Sequence, residues 1–178
     1  MTLLMLTGPA GSGKSTAAAA WAGLGTSPRA LLDTDELRWL IRAGAAHPEH
    51  GWTDETARQW TVAMDLWKAM VCVYKHHAID CVIDIYAPPC PPEPEDTFVT
   101  DLDIRRVVLL PSLEVCLARN RARNRRPFLE DRDLESNYEG FAWCVRRHQP
   151  ANVIDNSTLS VDQTVEAIEE ALGLTADH

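Results

Sequence analysis

The sequence predicts an α/β fold, an open, doubly wound sheet of parallel strands. Three observations predict it. Short apolar runs recur along the 178 residues, helix-like stretches alternate with them, and a glycine-rich loop, GPAGSGKST (8–16), sits between the first run and the first helix. Continuous apolar runs suit parallel strands covered on both faces, and their alternation with helices implies crossover connections.

The strands are expected in TLLMLTG (2–8), RALLDTD (29–35), CVIDIY (81–86), IRRVVLLP (104–111) and NVIDNS (152–157). Helices are expected at about 14–24, 35–44, 54–77, 112–124, 130–148 and 160–172. In the long third helix Ala57, Trp60, Met64, Trp67, Val71 and Tyr74 form one stripe, read as core packing, and Thr53 and Asp54 mark its start. APPCPPEPED (87–96) is too proline-rich for helix or central strand. It follows the third strand at the carboxyl edge of the sheet, where it is either a stiff surface loop or a wall of the substrate pocket. No linker divides the chain, so residues 1–178 are expected to form a single domain.

Composition narrows the function. A net charge of −9, from 17 basic and 26 acidic residues, disfavours sequence-blind binding to nucleic acid or anionic membrane. No apolar run reaches the roughly 20 residues that span a bilayer, and the N-terminus lacks a basic leader segment. The cysteines Cys72, Cys81, Cys90, Cys116 and Cys144 are scattered without a C-x-x-C pair. They suggest free thiols in a cytoplasmic protein. His47 and His50 read as a solvated loop.

GPAGSGKST matches G-x-x-x-x-G-K-[ST], the P-loop, in its strand–loop–helix setting. Gly8, Gly11, Ser12, Gly13, Lys14, Ser15 and Thr16 would cradle nucleotide phosphates on backbone N–H groups. Lys14 would reach the β- and γ-phosphates and Ser15 would ligate Mg²⁺. Asp84, ending the third apolar run, resembles the Walker B carboxylate that holds Mg²⁺ directly or through water. In DTDELRWLIR (33–42), Asp33 and Asp35 could cap a helix. Helical spacing also sets Asp35, Arg38 and Arg42 on one face beside Trp39, an arrangement able to deprotonate an alcohol and hold a polar substrate. An ion-pair ladder on the surface explains the same spacing. In LARNRARNRRP (117–127) five arginines crowd an acidic protein. Arg119, Arg123 and Arg126 share a helical face, Arg121 and Arg125 the opposite one, and such charge suits a transferring phosphoryl group. Absence of N-K-x-D disfavours the guanine-specific G proteins, and absence of L-S-G-G-Q disfavours transporter ATPases.

On these residues the chain resembles the small P-loop kinases, in particular the group that holds polynucleotide 5′-kinase domains and chloramphenicol phosphotransferase. GPAGSGKST, DELR (35–38), VID (82–84), PSLEVCLARNRAR (111–123) and VIDNSTLSV (153–161) carry the resemblance. It implies a P-loop NTPase sheet in strand order 2-3-1-4-5, with an arginine-rich lid at about 119–135. It also implies Asp35 as general base, Arg38 as an acceptor-binding residue, and Arg119 and Arg123 as lid arginines. The cofactors would be ATP and Mg²⁺. The expected acceptor is a small-molecule hydroxyl, with a polynucleotide 5′-hydroxyl as the alternative and a non-catalytic nucleotide-binding resistance or switch protein as a third reading. Segments 43–53 and 87–96 match neither named enzyme, which leaves the acceptor open.

Overall fold

Strand β1 (Leu3–Thr7) is buried along its whole length. Its side chains alternate between two separate cores, Leu3 and Met5 in one, Leu4 and Leu6 in the other. A strand buried on both faces must be all apolar, as this run is. This computed structural model describes residues 1–46, 51–90, 97–123 and 129–174. Within them β1 is joined by β2 (Arg29–Asp33), β3 (Asp80–Asp84), β4 (Arg105–Leu109) and β5 (Val153–Ile154). All pairings are parallel, in the order β2-β3-β1-β4-β5 that the resemblance implied.

Helix α1 (Lys14–Gly23) and α7 (Val161–Ala171) cover one face through Ala17, Ala18, Trp21, Val165 and Ile168. Helix α3 (Asp54–His76) covers the other through Ala63, Trp67 and Val71, helped by Leu37 of α2 (Thr34–Arg38). Short α4 (Phe98–Asp101), which the sequence does not announce, sets Phe98 edge-on against Trp67 at 5.3 Å. Helices α5 (Leu113–Arg121) and α6 (Asp131–His148) pack together beyond β4. Side chains cap the starts as their types suggest. Thr53 accepts from Thr56 N–H, Ser112 from Val115 N–H, and Ser160 with Gln163 forms a capping box on α7. Among the described residues no helix is long and apolar enough to cross a membrane.

Several expectations need correction. The helix expected over 35–44 ends at Arg38 and runs out through tight turns, Trp39 N–H to Glu36 and Leu40 N–H to Leu37. Buried Gln59 then takes over, donating to Gly44 carbonyl and accepting from Ala46 N–H, both at 2.8 Å. Arg42 is therefore not on a helical face with Asp35. The last strand is only Val153–Ile154, because the Asp155 carboxylate accepts Ser157 N–H at 2.9 Å and turns the chain. Not every cysteine is a free thiol. Cys90 and Cys144 form a disulfide, their Cα atoms 5.5 Å apart, tying the segment after β3 to α6. Proximity across 54 residues of sequence made that pair, which spacing along the chain could not reveal. Cys72, Cys81 and Cys116 are free, and burial pushes the Cys81 thiol to about 12. His47, His50, Arg125, Arg126 and the proline-rich residues 91–96 lie outside the described residues.

Candidate active site

The P-loop leaves β1 at its carboxyl end. Gly11 and Gly13 hold φ of +78° and +89°, the left-handed region that favours glycine. At Gly11 a methyl group would also lie 2.4 Å from the Cys116 carbonyl of α5. Gly13 precedes α1 and offers no side-chain cap, and the first turn of α1 carries no acidic residue. Its N–H groups are thus left to an anion, in the favourable potential of a helix start.

Distant residues pin this loop. Ala10 N–H donates to Asn137 Oδ1 of α6 at 3.1 Å. The Ser12 carbonyl accepts from Arg119 Nη1 at 3.1 Å and from Asn156 Nδ2 at 3.0 Å. Arg119 Nη2 also donates to the Asn156 carbonyl at 2.9 Å. Arg119 is thus held against the P-loop, while Arg121 turns away to pair with Asp131. Gly11, Gly13, Lys14, Ser15, Thr16, Arg119, Arg123 and Val161 line an open cavity of about 300 Å³. That is the lower end of the range for small-ligand sites. Gly8 and Ser12 lie beneath it, Gly8 against Leu109 carbonyl and Ser12 fully buried.

Asp84, the last residue of β3, is only 4% exposed. It stands in register between Leu6 of β1 and Asp33 of β2. Its Oδ1 is buried without a hydrogen-bond partner, while the Ser15 hydroxyl donates to the carboxylate. Burial pushes this carboxyl above the usual aspartate range. Lys14 and the Ser15 hydrogen bond pull it down, and the charges of Asp33 and Asp35 push it further up. Asp84 is therefore a buried carboxylate within electrostatic reach of Lys14 and Ser15 of the P-loop and of Asp33 and Asp35.

On the other side, Asp33 caps α2, accepting from Asp35 N–H at 2.9 Å and Glu36 N–H at 3.4 Å. With Asp33 in that role, the Asp35 carboxylate is free to point outward, where it pairs with Arg38. The Arg38 guanidinium lies 5.0 Å from the centre of the Trp60 ring. Trp52 adds a second ring, 6.0 Å from Trp60. Sequence reading put Trp60 in the core, yet it is only partly buried and lines a hollow with Arg38, Trp39, Thr56 and Gln59. The core stripe of α3 runs instead through Thr56, Gln59, Ala63, Trp67 and Val71. Sequence reading also missed Asn137 and Asn156. Asn156 lies in VIDNSTLSV, but nothing in that string marks it as a support of the P-loop.

No family model matches the chain, and neither does any curated protein sequence. Solved structures do. A tunicamycin resistance protein of Deinococcus radiodurans superposes with a TM-score of 0.64 at 19% identity, covering 98% of both chains. A shikimate kinase from Bacteroides thetaiotaomicron gives 0.60 at 21% identity, over 97% of this chain and 99% of that one. A chain of the Pnkp1/Rnl/Hen1 RNA repair complex gives 0.59 at 18% identity, over 82% of this chain and 45% of that one. The chain thus has the fold of the small P-loop kinases.

Proposed function

We propose that this chain is an ATP- and Mg²⁺-dependent phosphotransferase acting on the hydroxyl group of a small molecule, a nucleoside-like metabolite or an antibiotic. One observation carries the reading. Asp84 is buried at the end of β3, beside Asp33 in register, and lies within electrostatic reach of Lys14 and Ser15 of the P-loop on one side and of the outward carboxylate Asp35 on the other. That is where a γ-phosphate and an attacking oxygen would have to meet.

The donor set fits a hard divalent cation, since a buried aspartate oxygen without a partner stands beside a serine hydroxyl. Ser15 and Asp84 would hold the ion, which when bound offsets charge on the phosphate oxygens. P-loop N–H groups and Lys14 hold the β- and γ-phosphates. Asp35 takes the proton of the acceptor hydroxyl as its oxygen bonds to the γ-phosphorus. The bond to the bridging oxygen breaks and ADP leaves. Arg119 and Arg123, at the cavity wall, stabilise charge on the transferring group. In this reading residues 1–178 form a single kinase domain with Arg38 on the acceptor side; of the lid expected at about 119–135, residues 124–128 lie outside the described residues. Asp35→Asn is expected to lower transfer by about 10³-fold with ATP affinity nearly unchanged. Undiminished transfer would remove Asp35 as the base.

The likeness to a chain of an RNA repair complex favours one second reading, a polynucleotide 5′-hydroxyl kinase. The net charge of −9 opposes it. Phosphorylation of a 5′-hydroxyl oligonucleotide, with none of a nucleoside and antibiotic panel, would decide for it.

A further inference from the structure

We propose that the acceptor is an uncharged alcohol carried on a ring, laid against the indoles of Trp39, Trp52 and Trp60, and that Arg38 holds Asp35 in place instead of binding an anionic group of the acceptor. The inference rests on the reading of Asp35 as the base.

The charge of Arg38 is already committed. Its side chain is 16% exposed, ion-paired with Asp35 and stacked over Trp60. Drawing it away to a phosphate or carboxylate on the acceptor would strip Asp35 of its partner and set a second anion beside it. The surroundings add to that cost. Asp33 and Asp35 both lie within electrostatic reach of the buried Asp84, Asp33 beside it in register. Of the described cations, Lys14, Arg119 and Arg123 line the phosphate cavity, and Arg38 is the one cation lining the hollow beside Trp60. A negatively charged acceptor would be repelled where a neutral one is not.

The polar side chains of the hollow are occupied too. Gln59 bonds Gly44 carbonyl, Ala46 N–H and Glu55. Thr56 bonds Thr53 and the Gly51 carbonyl. Beside them lies exposed aromatic surface, Trp39 at 39% and Trp52 at 63%. The hollow itself has about 10 Å³, the room of one water. A ring therefore lies outside it, against Trp39 and Trp60 of its lining and against Trp52, whose ring is tilted 58° to that of Trp60 and forms a side wall. Gln59, by tying Gly44 and Ala46 to α3, holds this shelf in shape before the acceptor arrives.

The test uses the whole chain with ATP and Mg²⁺ and matched acceptors, nucleosides against their 3′-monophosphates and hexoses against hexuronic acids. Neutral members are expected to react with kcat/KM at least about tenfold above their anionic partners. Trp60→Leu and the exposed Trp52→Ala should each raise the acceptor KM about tenfold with the KM for ATP unchanged, and Trp60→Phe should restore most of it. Preference for the anionic members, an unchanged acceptor KM in both tryptophan variants, or no binding of any neutral ring alcohol would overturn the inference. Quenching of tryptophan fluorescence by neutral acceptors, measured without ATP, separates it from the reading beneath it. Ring alcohols that quench but are never phosphorylated would sink the kinase reading and leave the stacking shelf standing.

Discussion

Asp84→Asn should make the protein without nucleotide more stable and, at the same time, inactive. The side chain is 4% exposed, its Oδ1 has no hydrogen-bond partner, and burial together with Asp33 and Asp35 disfavours its charge. A buried polar group left unpaired costs about 1–3 kcal/mol. Asparagine keeps the volume, removes the charge and still accepts from the Ser15 hydroxyl. Lys14 loses an attractive partner, so a net gain of about 1 kcal/mol is expected, which for a chain of this size raises Tm by about 2–4 °C. The pH dependence follows from the same asymmetry. A carboxyl raised in the folded state adds stability that is complete below its unfolded value near 3.9 and is lost as pH rises through the folded value. The advantage of the Asp84→Asn chain should therefore be small near pH 4 and grow toward pH 7. Melting curves of both chains between these limits, with and without Mg²⁺ and ATP, measure it. In the variant the stabilisation by Mg²⁺ and ATP should shrink and transfer should fall about 100-fold or more. A variant that melts lower than the parent at pH 7 while keeping its full response to Mg²⁺ and ATP would refute the reasoning, because Asp84 would then be a structural residue.

Gly11→Ala places a methyl 2.4 Å from the Cys116 carbonyl at a φ of +78°, so a loss of at least about 2 kcal/mol and of ATP binding is expected by denaturant melts and nucleotide titration. Asn137→Ala frees Ala10 N–H from its 3.1 Å bond. It should raise the KM for ATP several-fold and cost about 1 kcal/mol, and an unchanged KM would mean that α6 does not position the loop. Thiol titration in denaturant without reductant should count three free cysteines, Cys72, Cys81 and Cys116. Reduction should lower stability by about 2–4 kcal/mol, and a count of five would dismiss the Cys90–Cys144 bond.

Much of this molecule could be read from the sequence because it is written in local strings. Leu3 to Leu6 had to be a strand buried on both faces, and GPAGSGKST had to turn into a helix start without a side-chain cap. Thr53, Ser112 and Ser160 sit one residue before their helices and accept from N–H groups three residues on. Asp35 and Arg38 could be seen as neighbours because three residues is close to one helical turn. What could not be seen was which of two equivalent readings held. By residue type Asp35 was as able to cap α2 as Asp33, but Asp33 does so, and that leaves Asp35 facing outward.

The sequence alone determined the phosphate loop, the strand pattern and the presence of an acidic residue at the end of β3, since each depends on residues within a few positions. Tertiary structure alone decided what surrounds them. The strand order brings Asp84 beside Asp33 and burial leaves its Oδ1 unpaired. Asn137 and Asn156 reach the P-loop across 127 and 144 residues. Trp60 is only partly buried, with the guanidinium of Arg38, the last residue of α2, 5.0 Å from the centre of its ring. Contacts of this kind are chosen by how layers pack around a sheet, and short-range periodicity carries no record of them.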